Sequence, residues 1–365
     1  MRDETVTGAL APSPIPEARR QIEICNACRY CEGYCDVFPA MTRSKAFADG
    51  DLSHLANLCH NCRGCYYACQ YTEPHAFALN LPAALAEVRQ DSWERLARPQ
   101  IVARVFHKSG LAMSGVLVVG LAAILWALAA LGKGQGAGFY ASLSHNAMVA
   151  IFAPAFVFPL ISIALSLRAY WREVGGSAIR LRHLIAAARS AGELRNLSGG
   201  QGQGCNFEDG DRFSNARRRW HHLVLYGFLL CFAATSTATL MHYLLDMQAP
   251  YGLFSLPKLL GLPGGVMLAA GTLGLMVLKL RADPALGVAR VWGGEMGFVA
   301  LLFTVAVTGL VLYGATGSAW VPGLLALHLG AVLAFFLLMP FSKMIHGFYR
   351  FAALIVEEQK RDPAA

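Results

Sequence analysis

Residues 25–35 read CNACRYCEGYC and residues 59–69 read CHNCRGCYYAC, so four cysteines recur twice within eleven residues. Both stretches follow C-x2-C-x2-C-x3-C, the bacterial-type spacing for [4Fe–4S] ligation. Three cysteines separated by two residues each let the chain wrap one corner of a cubane, and the fourth lies beyond that wrap. The repeat therefore predicts two [4Fe–4S] clusters near the N-terminus.

The fourth cysteine of each set is expected to serve the other cluster, as it does in two-cluster ferredoxins. The predicted ligand sets are Cys25, Cys28, Cys31 and Cys69 for one cluster, and Cys59, Cys62, Cys65 and Cys35 for the other. The proline that usually follows the fourth cysteine is absent, because Asp36 and Gln70 stand there. Zinc remains an alternative, since C-x2-C pairs also bind zinc. Disulfides would require an oxidising compartment.

The rest of the chain has the composition of a membrane protein. Hydrophobic residues make up 55% of the 365 residues and charged residues only 15%. A hydrocarbon core of roughly 30 Å needs about 20 apolar residues per helix. Six stretches meet that length, near 111–131, 148–167, 222–245, 259–280, 296–316 and 323–345. We therefore expect six transmembrane helices embedded in a lipid bilayer.

The loop charges predict how these helices are oriented. The 168–221 loop carries ten arginines, whereas the 132–147 and 317–322 loops are nearly bare. Cytoplasmic loops are enriched in Lys and Arg, so both termini and the cysteine domain are expected to be cytoplasmic. The N-terminus has no apolar core of a secretory signal. The net charge of +8 is explained by basic loops beside the membrane spans, which would contact anionic lipid. No nucleic-acid partner is therefore expected.

We expect an all-α fold with an N-terminal helical ferredoxin-like domain and a cytochrome b-like six-helix bundle. The 23 residues between the cysteine sets have helical patterning, which favours a helical over a β-rich ferredoxin. The glycine-rich part of the 168–221 loop is expected to be a flexible hairpin, unless it approaches a cofactor or partner. The expected segments are 1–20 disordered, 21–80 ferredoxin-like, 81–110 linker and interfacial helix, 111–346 membrane domain and 347–365 cytoplasmic tail.

Histidines near the span ends are candidate haem ligands, because histidine can bind a haem iron axially and intramembrane ionisable residues are often functional. On one continuous helix, His328 and His346 would lie five turns and about 27 Å apart on one face. Spans three and six run antiparallel, which predicts a cytoplasmic pair and a far-side pair. The candidates are His221 or His222 with His346, and His242 with His328, with His145 as a substitute.

These two pairs predict one or two b-type haems in a four-helix-type bundle. The alternative is that they are interfacial histidines with no ligand. His60, inside the second cysteine set, is a candidate for tuning a cluster by hydrogen bonding. Cys205 and Cys231 are expected to be structural or incidental. The basic 205–222 segment is a candidate docking surface or quinone-site wall, with plain membrane topology as the competing interpretation.

Several long motifs carry a family resemblance. CNACRYCEGYCDVFPAM, LANLCHNCRGCYYACQYTEPHAFALNLP and DRFSNARRRWHHLVLYGFLLCFAATSTATLMHY, together with the six spans, resemble the tricarballylate utilisation protein B family, also called the CitB domain. The chain is also similar to the C-terminal half of the CobZ protein. The resemblance extends from about residue 20 to residue 355.

The resemblance implies a multi-pass subunit of the bacterial inner membrane. Its partner would be an FAD-dependent tricarballylate dehydrogenase, which converts tricarballylate to cis-aconitate. Electrons would pass from that flavoprotein through the clusters and haem b to the quinone pool. The chain shows no G-x-G-x-x-G motif opening a strand–helix unit, so dehydrogenation is assigned to the partner.

Two other functions compete. A quinol-oxidising cytochrome b and iron–sulfur subunit, resembling the nitrate reductase gamma subunit, would use the same cofactors in the opposite direction. A tricarboxylate transporter or a redox sensor is a different class. Transport does not need eight cluster ligands, and the spans lack broken helices with paired polar residues. A sensor would need an output domain, for which the tail is too short.

Overall fold

The computed structural model describes residues 13–362, apart from residues 36, 45, 132–143, 209, 248 and 250. In this part of the chain there are thirteen α-helices and no strand, with one isolated antiparallel bridge between Cys205 and Ser214. The predicted all-α class is therefore confirmed.

Five helices form the N-terminal domain: α1 (Ile15–Cys28), α2 (Phe38–Met41), α3 (Asp49–Leu58), α4 (Gly64–Tyr67) and α5 (Leu81–Leu96). The expectation of disorder up to residue 20 is wrong for residues 15–20, which form the first turns of α1. Proline at the start of this helix costs no backbone hydrogen bond, and Glu17 accepts bonds from Arg20 and Gln21. Ile22 then anchors the helix in the core. Residues 1–12 lie outside the described residues.

Six helices are long and apolar enough to cross a membrane: α6 (Gln100–Leu131), α7 (His145–Glu173), α9 (Ala216–Leu245), α10 (Leu256–Arg281), α11 (Ala289–Gly314) and α12 (Val321–Leu338). α6 contains a non-helical residue, Ser109, which separates its first turns from the apolar span. Many apolar side chains on these helices face outward, as lipid contact requires.

The packing of these helices depends on small residues. α6 lies against α11 and α12, and α9 lies against α10. Gly227 on α9 faces Gly264 on α10 so closely that a Cβ on either would meet the other helix's backbone. Small residues at such crossings let apolar helices approach without a hydrophobic driving force.

The sixth predicted span, 323–345, is not one helix. α12 ends at Leu338, and a new helix, α13 (Ile345–Arg361), begins after a short turn. Pro340 explains the break, because proline lacks the N–H that would bond to residue 336 and its ring clashes there. His328 and His346 therefore belong to different helices, and the five-turn argument that aligned them is wrong.

α13 connects the membrane helices to the N-terminal domain. It packs against α3, α7 and α8 (Leu181–Gly192). The Arg350 side chain donates to the carbonyl of Asn57 at 2.9 Å and to that of Cys59 at 2.7 Å. The segment expected as a cytoplasmic tail is thus a docked helix that holds the second cysteine set against the bundle.

Candidate functional site

The first cysteine set wraps one small cavity. α1 carries Cys25 and Cys28, and Arg29 ends the helix in a left-handed conformation, its N–H bonded to the Cys25 carbonyl. Cys31 follows in the turn. Cys69, from the second set, lines the same cavity as these three cysteines. The structure therefore brings together the four thiols predicted as one ligand set.

The second cysteine set is arranged in the same way. α3 ends at Leu58, and the backbone turns through left-handed residues at Asn61 and Arg63 before α4. Cys35, from the first set, lies within hydrogen-bonding range of Cys65 and close to Cys59. Each fourth cysteine thus lies with the opposite triplet, although neither is followed by the usual proline.

Backbone N–H groups face several of these thiols. The Val37 amide points at Cys35 Sγ at 3.4 Å, and the Asn61 amide points at Cys59 Sγ at 3.3 Å. The Tyr71 amide lies 3.3 Å from Cys69 Sγ. Such donors stabilise thiolates and tune iron–sulfur clusters.

The thiols need a cation to ionise. Burial, reinforced by the neighbouring cysteines, raises the pKa of Cys25 and that of Cys31 to about 12. Metal ligation requires thiolates, so bound iron would have to offset this cost. Among the described residues, no three His, Cys, Asp or Glu side chains converge closely enough to hold one metal ion.

The glycine-rich segment expected as a flexible hairpin lies against both cysteine sets. We call residues 197–215 the covering loop. A Cβ on Gly200 would collide with the backbone at Gly33, so glycine is required for this approach. The Asn206 amide donates to the Cys62 carbonyl at 2.9 Å. The prediction of a flexible hairpin had one stated exception, a close approach to a cofactor or partner. The structure fits this exception, because the loop packs against both cysteine sets.

Within the covering loop, Cys205 is fully buried and its thiol lies within hydrogen-bonding range of Cys62. That bond comes first among the causes that lower the pKa of Cys62 to about 7. Both amide atoms of the fully buried Asn206 side chain lack a partner among the described residues. Cys205 is predicted from the sequence to be structural or incidental, and a lone cysteine in a polar loop gives no sequence signal of this contact.

One predicted histidine pair forms. The rings of His221 and His346 lie 5.9 Å apart, centre to centre, and are inclined by 76°. Two imidazoles on opposite faces of one iron, with metal–nitrogen bonds of about 2 Å, have ring centres about 6 Å apart. His346 Nδ1 bonds to the Lys343 carbonyl, which leaves Nε2 for a ligand, and His221 Nδ1 is shielded without a partner in the described chain. His222 instead stacks on Tyr226.

A cavity of about 1260 Å³ surrounds this pair. It reaches from His60, in the second cysteine set, past His221 and His346 into the membrane helices. Its wall is rich in cations: Arg63, Arg89, Arg168, Arg195, Arg217, Lys279, Lys343 and Arg350. Facing imidazoles, an adjoining cavity and cations for two carboxylates together fit a b-type haem.

The second predicted pair does not form in this way. His242 stacks on His145, with ring centres 4.4 Å apart, which is too close for an iron between them. His328 lies elsewhere, with Nδ1 3.1 Å from the Thr308 hydroxyl and its ring against Gly309. His145, which was predicted as a substitute ligand, is therefore the residue that contacts His242.

Three further charged residues were not among the sequence candidates. Glu295 bonds to Lys279 at 2.5 Å and to Lys343 at 2.6 Å, and all three line the cavity. The sequence signal was available, because Glu295 is the only acid within the apolar α11. The two lysines lie at the ends of membrane helices, where basic residues are common and do not by themselves indicate a site.

Comparisons with known proteins agree with this architecture. Citrate utilization protein B matches residues 99–365, and the Citrate utilization protein B Fer4-like domain matches residues 18–94. The chain belongs to the Citrate utilization protein B family. It is 41% identical over 357 residues to Citrate utilization protein B of Escherichia coli, covering 96% of this chain and 93% of that protein. No solved structure matches the chain.

The family assignment confirms the resemblance read from the motifs. The Fer4-like domain spans both cysteine sets, which supports iron–sulfur binding there. Together with the six apolar helices, it supports an electron-transfer role for a multi-pass membrane protein in the utilisation of citrate or tricarballylate.

Proposed function

We propose that this chain is the membrane electron-transfer subunit of a dehydrogenase. A partner FAD-dependent flavoprotein would oxidise a tricarboxylate of the tricarballylate type. Its reduced flavin would pass electrons through two [4Fe–4S] clusters and one b-type haem to a membrane quinone. The N-terminal domain and both termini would face the cytoplasm of a bacterium. The name of the Escherichia coli relative, which refers to citrate, supports a tricarboxylate as the partner's substrate.

One observation carries this proposal: the candidate redox sites lie in a row. The cavity beside the first cysteine set opens at Arg29 and the exposed Tyr30, where a partner could approach. The two sets are linked, because Cys35 of the first set lies with the second triplet and Cys69 of the second set lies with the first triplet. His60, in that second set, borders the cavity that contains His221 and His346.

The chain's own residues would bind and insulate the cofactors. His221 and His346 would hold the haem, which when bound supplies a one-electron centre between cluster and quinone. Arg217 and Arg350 line the same cavity and would pair with the carboxylates of the haem. The covering loop shields the second cysteine set from water, which limits side reactions and affects potential.

Spectroscopy of the anaerobically purified protein tests the proposal. Dithionite reduction should produce the α-band of a b-type haem and the EPR spectrum of two interacting reduced clusters. Iron and haem analyses should give about eight non-haem irons and one haem per chain. Zinc in place of iron would overturn the cluster proposal, and clusters without haem would overturn the role of the histidine pair.

The direction of electron flow needs a second measurement. Membrane vesicles that contain this chain and its flavoprotein should reduce quinone when the tricarboxylate is added. Vesicles with either protein alone should not. Haem oxidation by the flavoprotein after the addition of quinol, without quinone reduction, would instead support the reverse reaction.

A further inference from the structure

Three charges meet where α10, α11 and the turn after α12 border the cavity. Glu295 is on α11, Lys279 on α10 and Lys343 in the turn between α12 and α13. Each lysine contacts a different carboxylate oxygen. Their side chains are only 14–25% exposed. We call these residues the charged row.

A structural salt bridge alone does not account for the charged row. One lysine neutralises one carboxylate, so the second leaves a net positive charge at the cavity. Buried charges carry a large desolvation cost, and ionisable groups at membrane depth usually serve a ligand or an ion path. The surplus cation faces the cavity, where it can bind an electronegative group.

The row has two different ends. Lys343 lies three residues before His346 and acts electrostatically on both His221 and His346. Lys279 lies at the other end, with Nζ 6.0 Å from the centre of the Trp292 ring. Trp292 and Leu280 line the cavity and are 43% and 66% exposed. The cavity can therefore be reached from the exposed surface of α10 and α11 beside Lys279.

The cavity has room for more than one ligand. Its volume of about 1260 Å³ exceeds the roughly 300–1,000 Å³ typical of a pocket for a single small ligand. If a haem lies between His221 and His346, space remains toward Leu280 and Trp292.

We propose that the charged row is the head-group site of the membrane quinone, with Lys279 donating a hydrogen bond to one quinone carbonyl. This inference rests on the proposed function and assigns the site of its final step. The Trp292 ring would pack against the quinone ring, and the isoprenoid tail would pass Leu280 into the lipid. An ammonium donor stabilises the negative charge that develops on the carbonyl oxygen during reduction.

The chemistry of this site balances as follows. The quinone accepts two electrons, which originate in the partner's reduced flavin, and both C=O groups become C–OH. Lys279 gives a proton to the carbonyl oxygen that it binds. Lys279 then takes a proton back from water that enters the cavity, and Glu295 holds its side chain in place. The second carbonyl oxygen takes its proton directly from water.

Photolabelling of the wild-type protein tests the site without relying on turnover. The complete chain in lipid is irradiated with an azido-quinone, and the adduct is mapped by peptide mass spectrometry. The adduct is expected on α10 or α11 between Lys279 and Trp292, and excess unmodified quinone should suppress it. An adduct confined to other helices overturns the proposal.

Variants sharpen the test. Lys279→Met and Glu295→Gln should lower labelling at least tenfold, while haem and iron contents stay at the wild-type level. Lys279→Arg should retain most of the labelling. Lys258→Met is the matched control, since Lys258 is also on α10 but stacks on Tyr313 at the opposite end, and it should label normally.

The outcomes separate this inference from the proposed function. Unchanged labelling in Lys279→Met overturns the inference. Loss of haem from Lys279→Met, with clusters retained, would assign the row to the haem carboxylates and also overturns it. Absence of haem or clusters from the wild-type protein would overturn the proposed function itself, whatever the labelling shows.

Discussion

The two ends of the membrane bundle both contain histidines, but in the described residues the rings are spaced differently at the two ends. At the near end, beside the N-terminal domain, the His221 and His346 rings are 5.9 Å apart and border a large cavity. At the far end, His145 and His242 stack at 4.4 Å. Histidines at matched depth are therefore not enough to predict a haem site, because the two rings must also be far enough apart to hold an iron between them.

The difference arises from how the chain builds each end. At the near end Pro340 breaks the helix, and the following turn directs Lys343 and His346 toward the cavity. α13 then places Arg350 between the cavity and the carbonyls of the second cysteine set. At the far end the ring of His145 fills the place beside His242 where a ligand would otherwise lie.

The largest expected effect separates these two ends directly. His346→Ala should abolish haem binding, because it removes one axial ligand from the only pair with suitable spacing in the described chain. His242→Ala should leave the haem content unchanged. Haem is measured by the pyridine haemochrome method, with iron and membrane content as controls for folding. Equal haem loss in both variants would show that the far end also holds haem and would break the comparison.

The cysteine sets test whether the near end is supplied by two clusters. Cys69→Ser should remove one cluster and reduce non-haem iron by about half, because serine binds iron–sulfur clusters poorly. Since Cys69 lies with Cys25, Cys28 and Cys31, the lost EPR signal should match that of a Cys28→Ser variant. Cys231→Ser, in a membrane helix, is the control. A match with Cys62→Ser instead would mean that each set binds its own cluster.

The sequence predicted the geometry of the two cofactor regions to different extents. The cysteines are close in sequence and repeat, so their spacing predicted which thiols meet. The histidines are far apart, and their pairing depended on helix continuity. One proline changed that geometry, so the near pair formed for a different reason from the one predicted, and the far pair changed its partner.

The contact made by Cys205 and the charged row were missed for another reason. Cys205 is important only through its contact with Cys62, more than 140 residues away in sequence. Lys279 and Lys343 match the ordinary basic ends of membrane helices, and only packing shows that they share Glu295. Contacts between distant elements leave no local pattern.

A smaller effect is expected from the covering loop. Cys205→Ala should lower the midpoint potential of one cluster, because it removes a polar thiol within hydrogen-bonding range of Cys62 that stabilises the extra negative charge of the reduced cluster. A shift of about tenfold in the reduction equilibrium corresponds to about 59 mV for one electron. Redox titration followed by EPR measures it, with Cys231→Ala as the control. An unchanged potential would mean that the loop only excludes water.

The smallest effect concerns how the N-terminal domain is held at the near end. His54 Nε2 lies 3.5 Å from Glu357 on α13, and Glu357 also pairs with Arg43. Burial, reinforced by Lys360 and Arg43, lowers the pKa of His54 to about 3. The folded protein thus keeps His54 neutral, whereas the unfolded chain binds a proton below about pH 6.5. Stability is therefore full above pH 6.5 and is lost as the pH falls toward 3, by up to about 1.4 kcal/mol per pH unit.

His54→Gln should remove this acid sensitivity while keeping a polar side chain beside Glu357. Hydrogen exchange of α3 and α13 peptides between pH 7 and pH 5 measures the free energy of local opening, after correction for the intrinsic exchange rate. Wild-type protein should lose up to about 2 kcal/mol more than the variant over this range. Peptides from α9 at the far end should show no difference between the two proteins, because none of these groups lies there. Equal pH slopes for α3 in both proteins would assign the acid sensitivity to the carboxylates instead, and the docking of α13 would then depend on Glu357 and its arginines rather than on a neutral His54.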